Sequence, residues 1–212
     1  MPAVSKSQVT ALKPLKPNRP SGHWQPSQRV IRRRIPSGLA GWLLDTASLT
    51  LRLQRLCPGR FRVQVLSQQW GSPAIDEAQA LQMKPGSLAL IRQVQLLCDS
   101  EPWVYARTVI PATSLRGRLR RLAYLGTRPL GGMLFSDPGM RRGPVELVRL
   151  LRGQALHRAA TRKLGKRPAQ IWGRRAVFRL GKSPLLVSEI FLPAFPAGTG
   201  PQPAWLDVQM KL

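Results

Sequence analysis

The sequence predicts an α+β fold: a single domain with a central six-stranded antiparallel β-sheet and grouped helices. Three observations predict it. Short apolar runs come in pairs joined by tight turns, 88–97 with 102–110 and 171–180 with 183–193, as β-hairpins do. Apolar residues recur at spacings of three and four over 37–56 and 112–124, as in amphipathic helices. These helices sit before and between the strands instead of alternating with them, which favours an antiparallel sheet.

Composition agrees with one domain. The chain has 212 residues, 43% of them hydrophobic, enough for a proper core. No run approaches the ~18 unbroken apolar residues of a membrane span, and no apolar signal segment opens the chain. A cytoplasmic protein is expected. Cys57 and Cys98 have no metal-ligand spacing and read as buried thiols in a reducing compartment. The net charge of +25 argues for an anionic partner: nucleic acid, an anionic membrane surface or a small anion. No nucleic-acid motif accompanies it.

Residues 1–35 carry five prolines and eight basic residues with no acid, and are expected to be a disordered basic extension. The domain follows over 36–196. Leu39, Trp42, Leu43, Leu49, Leu53 and Leu56 mark a helical face with Ser37 as its cap, broken near Thr46–Ser48. Pro58-Gly59 ends it. Phe61, Val63 and Val65 alternate with Arg62 and Gln64, giving a half-exposed strand. Residues 69–86 read as a long loop with one helical turn. Strands at 88–97 and 102–110 flank the tight turn Cys98–Glu101. Leu115, Leu119 and Leu122 line one side of a helix whose other positions carry arginines. Pro129-Leu130-Gly131-Gly132 reads as a glycine turn able to bring backbone N–H groups near a ligand. A strand at 145–150 precedes a basic, flexible insertion at 152–168. The strand at 171–180 then turns through Gly181-Lys182 into the last one. Residues 197–212 read as a loose tail.

The available chemistry is narrow. There is no phosphate loop, dinucleotide motif or zinc-protease motif, and the only histidines are His23 and His157, neither read as a catalytic base. Metal and cofactor chemistry are not expected. Glu189 is conspicuous, one of 9 acids against 34 basic residues, in the middle of an apolar strand where a carboxylate is costly to bury. It is either the partner of a buried arginine or a carboxylate facing an enclosed ligand. Arg92 and Arg107 lie among apolar neighbours in their own strands. Two guanidiniums and one carboxylate in an apolar box suit a small, flat organic anion.

Several ordered motifs then form one pattern. They are Ile-Arg-Gln-Val-Gln-Leu-Leu-Cys-Asp-Ser-Glu-Pro-Trp (91–103), Ala-Arg-Thr-Val-Ile-Pro (106–111), Leu-Gly-Thr-Arg-Pro-Leu-Gly-Gly-Met-Leu-Phe (125–135), Ile-Trp-Gly-Arg-Arg (171–175) and Lys-Ser-Pro-Leu-Leu-Val-Ser-Glu-Ile-Phe-Leu-Pro (182–193). Over about 37–195 the chain resembles the chorismate pyruvate-lyase family. The resemblance implies a six-stranded sheet enclosing its ligand under helical flaps, and conversion of chorismate to 4-hydroxybenzoate and pyruvate as the first step of ubiquinone synthesis. It implies that Arg92 meets the ring carboxylate, that the Leu130 backbone assists, that Glu189 binds the ring hydroxyl, and that Arg107 guides the enolpyruvyl carboxylate. It implies no cofactor, strong product retention and a monomer. Ala106 stands where the family often has Gly, and Leu49 where it has a flap methionine. Two readings compete: a non-catalytic ligand-binding domain like the effector domains of GntR-type regulators, and a basic nucleic-acid-binding protein. A weak contact of the basic extension with anionic lipid is compatible with the lyase.

Overall fold

The computed structural model describes residues 20–30 and 34–200. One antiparallel sheet of eight strands forms its centre. The strands are β1 (Gln25–Pro26), β2 (Phe61–Gly71), β3 (Ala89–Cys98), β4 (Glu101–Pro111), β5 (Met140–Arg142), β6 (Glu146–Leu151), β7 (Gln170–Leu180) and β8 (Ser183–Phe191). Their order is β1-β6-β7-β8-β4-β3-β2, with β5 paired to β7 beyond β6. The six longer strands are those the alternation predicts. The two short ones have no periodicity to announce them.

Each sheet face is covered by its own helices. One face packs against α1 (Ser37–Leu44), α2 (Leu49–Leu56), a 3₁₀ segment (Gly117–Tyr124) and α4 (Leu130–Ser136). Trp42, Leu43, Leu49 and Leu53 there meet Val63, Val94, Leu96 and Phe191. Leu119, Leu122, Leu125, Leu130 and Leu134 meet Leu90, Ile110, Phe178 and Leu185. The opposite face packs against α3 (Ile75–Ala80) and α5 (Ala155–Ala160). The helical run predicted over 37–56 does break, into α1 and α2. Ser48 caps α2, its Oγ accepting from Leu51 N–H, whereas Pro36, not Ser37, occupies the cap of α1. The stripe Leu119–Leu122–Leu125 repeats every three residues, which suits a 3₁₀ helix better than the α-helix expected.

Three expectations are corrected. Residues 20–30, assigned to the extension, pack onto the sheet: β1 pairs with β6, and Ser21 bonds to Asp76 through both its N–H and its hydroxyl. Residues 1–19 and 201–212 lie outside the described residues. The 152–168 segment is no flexible excursion, because α5 buries Leu156 and Ala160 against Val148, Leu150 and Ile171. His157 is buried as well, one ring nitrogen 2.9 Å from the Pro168 carbonyl. Finally, Cys57 and Cys98 are joined in a disulfide, their Cα atoms 5.8 Å apart, tying the end of α2 to the end of β3.

The β3–β4 hairpin carries one further detail that decides the site. Cys98 pairs with Glu101, and that register continued would set Arg92 opposite Arg107. A bulge at Leu96/Leu97 shifts the pairing by one, so Arg92 faces Thr108 and Gln93 faces Arg107. A shift of one residue sends side chains to opposite faces of a sheet.

Candidate active site

A small cavity, with about 40 Å³ of free space, lies between the sheet and its flap helices. Its floor is Arg92, Val94 and Leu96 of β3, Ala106 and Thr108 of β4, and Val187 and Glu189 of β8; its roof is Ser48, Leu49 and Thr50 at the start of α2, with Leu130, Gly131 and Leu134 of α4. The flaps touch closely at Gly131, where an added Cβ would stand 2.8 Å from Thr50 Oγ1. The absent side chain lets α4 close on α2. Pro129-Leu130-Gly131-Gly132 is therefore the start of a helix, not a free turn. Leu130 holds the first N–H of that helix, one of those with no intrahelical acceptor.

The sheet register places Arg92 and Glu189 on the same face. Arg92 sits opposite Thr108 of β4, and Glu189 opposite Ala106 on its other side. Two strand spacings and two residues separate their backbones, roughly 12 Å. Their side chains converge on the cavity from its two ends.

Arg92 is 2% exposed. Its Nη2 donates to the carbonyls of Gly126 (2.8 Å) and Arg128 (3.4 Å). Its Nε is buried without a partner, and no carboxylate of the described residues pairs with it. Burial lowers its pKa to about 10, since a desolvated cation without a counter-ion is disfavoured. Such a group is prepared for an incoming anion.

At the other end, the Glu189 carboxylate is 19% exposed and accepts from Arg174 Nε at 2.6 Å. Of the two readings of Glu189, the structure shows the pairing with an arginine, and the side chain also lines the cavity. Arg174 also donates from Nη1 to the Trp42 and Asp45 carbonyls at the end of α1. Arg142, on β5, donates from Nη1 to the Thr46 carbonyl at 2.7 Å and stacks 5.5 Å over the ring of Phe178, which also lines the cavity. Neither Arg174 nor Arg142 was picked out from the sequence. The signal for Arg174 existed, because the two-residue turn Gly181-Lys182 sets Leu180 opposite Ser183 and hence Arg174 opposite Glu189. For Arg142 no pattern existed.

Arg107, expected beside Arg92, is not in the cavity. It lies on the opposite face, where its Nε and Nη2 reach the Glu77 carboxylate at 2.7 and 2.9 Å, both side chains 1% exposed. Glu77 also accepts the Ala74 N–H. Arg107 thus fastens α3 to the back of the sheet.

A larger groove of about 670 Å³ opens on that back face, lined by Trp24, Asp76, Glu146 and Arg175 among others. Its buried arginine is already paired: Arg175 reaches Asp76 and Glu146 at 2.7 Å each and lies over Trp24. Size favours the groove, but unmet polar capacity favours the smaller cavity, and ligand recognition depends on the latter.

The profile of a family described as chorismate lyase matches residues 20–197. A probable chorismate pyruvate-lyase of Azoarcus sp. (strain BH72) is 44% identical, covering 80% of this chain and 89% of that protein. Another from Aromatoleum aromaticum is 42% identical, over 78% of this chain and 90% of that protein. Among solved structures, PhnF from Mycobacterium smegmatis is similar with a TM-score of 0.51 at 14% identity, over 71% of this chain and 65% of that one, a likeness of fold alone.

Proposed function

The chain belongs to the chorismate lyase family, and on that premise we propose that it cleaves chorismate to 4-hydroxybenzoate and pyruvate in the cavity between Arg92 and Glu189. It is an enzyme, a carbon–oxygen lyase acting on chorismate. One observation carries the choice of site: Arg92 is a buried cation with no counter-ion among the described residues, lining a cavity whose far end holds a carboxylate.

The reaction balances without an oxidant, a reductant or water. The ring C–O bond to the enolpyruvyl group breaks, and that oxygen becomes the keto oxygen of pyruvate. One ring hydrogen ends on the methylene carbon, which becomes the methyl group. The ring becomes aromatic, which drives the reaction. What remains for the protein is positioning, charge neutralisation and exclusion of water. Arg92 binds the ring carboxylate in a bidentate pair, with the Leu130 N–H as a further donor. Glu189, held by Arg174, accepts from the ring hydroxyl. Leu49, Val94 and Ala106 sandwich the ring. Arg107 takes no part in binding.

High identity along most of the chain favours this reading over a non-catalytic ligand-binding domain or a nucleic-acid-binding protein. The proposal includes a cytoplasmic monomer that supplies 4-hydroxybenzoate to ubiquinone synthesis. No helix among the described residues is long and apolar enough to cross a membrane. The net charge of +25 supports a weak contact of the basic N-terminal residues with anionic lipid.

The test is turnover of chorismate by the purified chain, followed by the absorbance of 4-hydroxybenzoate. Wild type turns over, while Arg92→Ala and Glu189→Ala lose most of the rate and stay folded. Near-normal rates in both variants would refute the site.

A further inference from the structure

The cavity end at Glu189 holds more positive charge than it uses. Arg174 has a carboxylate partner: Glu189 takes its Nε, and two carbonyls take its Nη1. Arg142 is met less fully. Its Nη1 meets only the carbonyls of Asp45 and Thr46, and its Nε is buried without a partner. No carboxylate of the described residues forms an ion pair with it. Asp45, the carboxylate on the same connector, is taken by Arg52 at 2.9 Å.

Arg142 also stands next to the cavity, stacked on Phe178, which lines it. Its Cα pairs with that of Phe178 across β5 and β7, so the two side chains share a face, and the guanidinium lies over the Phe178 ring. Burial and the neighbouring Arg174 lower its pKa, while Glu189 and Asp45 partly offset this. A half-buried cation beside another cation, with Nε unmet, is costly until an anion arrives.

The substrate supplies such an anion in one place only. Chorismate has two carboxylates, one on the ring and one on the enolpyruvyl group. The enolpyruvyl ether is borne by the ring carbon next to the one bearing the hydroxyl. With the hydroxyl at Glu189 and the ring carboxylate at Arg92, the second carboxylate falls at the Glu189 end. 4-Hydroxybenzoate has no group there.

Resting on the chorismate reading above, we propose that Arg142 receives the enolpyruvyl carboxylate and is the residue that distinguishes substrate from retained product. The arrangement also accounts for its tether. Carbonyls of the α1–α2 connector hold Arg142, so the arm of the substrate is sensed by the same segment that starts the α2 flap.

The experiment compares wild type, Arg142→Gln and Arg142→Lys. Two quantities are read: kcat/KM for chorismate, and the dissociation constant of 4-hydroxybenzoate by titration calorimetry. Loss of a charge-assisted pair lowers kcat/KM by about 30-fold to 100-fold in Arg142→Gln. The 4-hydroxybenzoate constant stays within about twofold, and Arg142→Lys recovers part of kcat/KM because it keeps the charge. A parallel loss of both quantities would mean that Arg142 only shapes the cavity, and unchanged kcat/KM would mean that it does not meet the substrate; either overturns the inference. Should Arg142→Gln fail to fold, Arg142→Lys decides: its kcat/KM must fall while product affinity does not. Absence of turnover in wild type would instead remove the parent reading, and is told apart by that control.

Discussion

Arg92 and Arg107 make a matched pair of opposite expectations. Both are buried arginines six residues from the same hairpin turn, one on each of its strands, but among the described residues only Arg107 has a carboxylate partner. Consider Arg92→Met, which keeps length and removes charge. Lowering the Arg92 pKa to about 10 corresponds to roughly 3 kcal/mol against the charged form. The sign follows from its direction: the folded pKa lies below the unfolded one, so charged Arg92 opposes folding at every pH below about 10. The opposition is relieved only as pH rises above that value, and is fully present at neutral pH. Against this relief stand two lost hydrogen bonds, to Gly126 and Arg128, worth about 1 kcal/mol each. The terms nearly cancel. Thermal scanning should find the Tm of Arg92→Met within about 3 °C of wild type. Calorimetry should find 4-hydroxybenzoate affinity reduced about 100-fold or more. Arg107→Met leaves Glu77 buried and unpaired, which costs about 3–5 kcal/mol and lowers Tm by about 10 °C. If Arg92→Met loses as much stability as Arg107→Met, or binds product normally, the reasoning about an unpaired cation prepared for an anion is refuted.

Other consequences are simpler. In Gly131→Ala the new Cβ meets Thr50 Oγ1 at 2.8 Å and Ser48 Oγ at 3.1 Å; overpacking of about 1–3 kcal/mol separates α4 from α2, and stopped-flow release of 4-hydroxybenzoate should be faster by about tenfold. An unaltered release rate would show that this contact does not hold the cavity shut. The Cys57–Cys98 bridge closes a separation of 41 residues, for which chain entropy gives about 4 kcal/mol; a reductant should lower Tm by about 10 °C, and an unchanged Tm with two free thiols in the untreated protein would contradict the bridge. Removing residues 1–19 should weaken co-sedimentation with anionic vesicles and leave turnover intact, whereas unchanged co-sedimentation would assign the contact elsewhere.

Much of this architecture is legible in the chain because hairpins are local. The alternation over 88–110 and 171–193 yields four strands and both tight turns, and strand parity alone puts Arg92 with Val94 and Glu189 with Val187. The misplacement of Arg107 has one cause. A bulge adds a residue without altering the apolar pattern, and the unbroken register would have set the two arginines face to face. Arg174 was missed although the Gly181-Lys182 turn, whose two-residue length fixes the pairing, carried the signal for it. Arg142 did not follow from anything local, because a three-residue strand carries no period and its neighbours come from a connector nearly a hundred residues earlier. The short helix α5 inside 152–168 was obscured by basic composition, although Leu156 and Ala160 already stood four residues apart. The disulfide depends on how α2 lies over β3, a tertiary relation that residue spacing does not contain.

The central claim is that this chain removes pyruvate from chorismate by positioning and charge neutralisation at the Arg92–Glu189 cavity. Its most direct test is to incubate the purified chain with chorismate in the presence of a chelator and no added cofactor, and to quantify both products with time. The account predicts 4-hydroxybenzoate and pyruvate in equal amounts at every time point, with the rate lost in Arg92→Ala. Failure to form 4-hydroxybenzoate, or formation of pyruvate without it, would contradict the account.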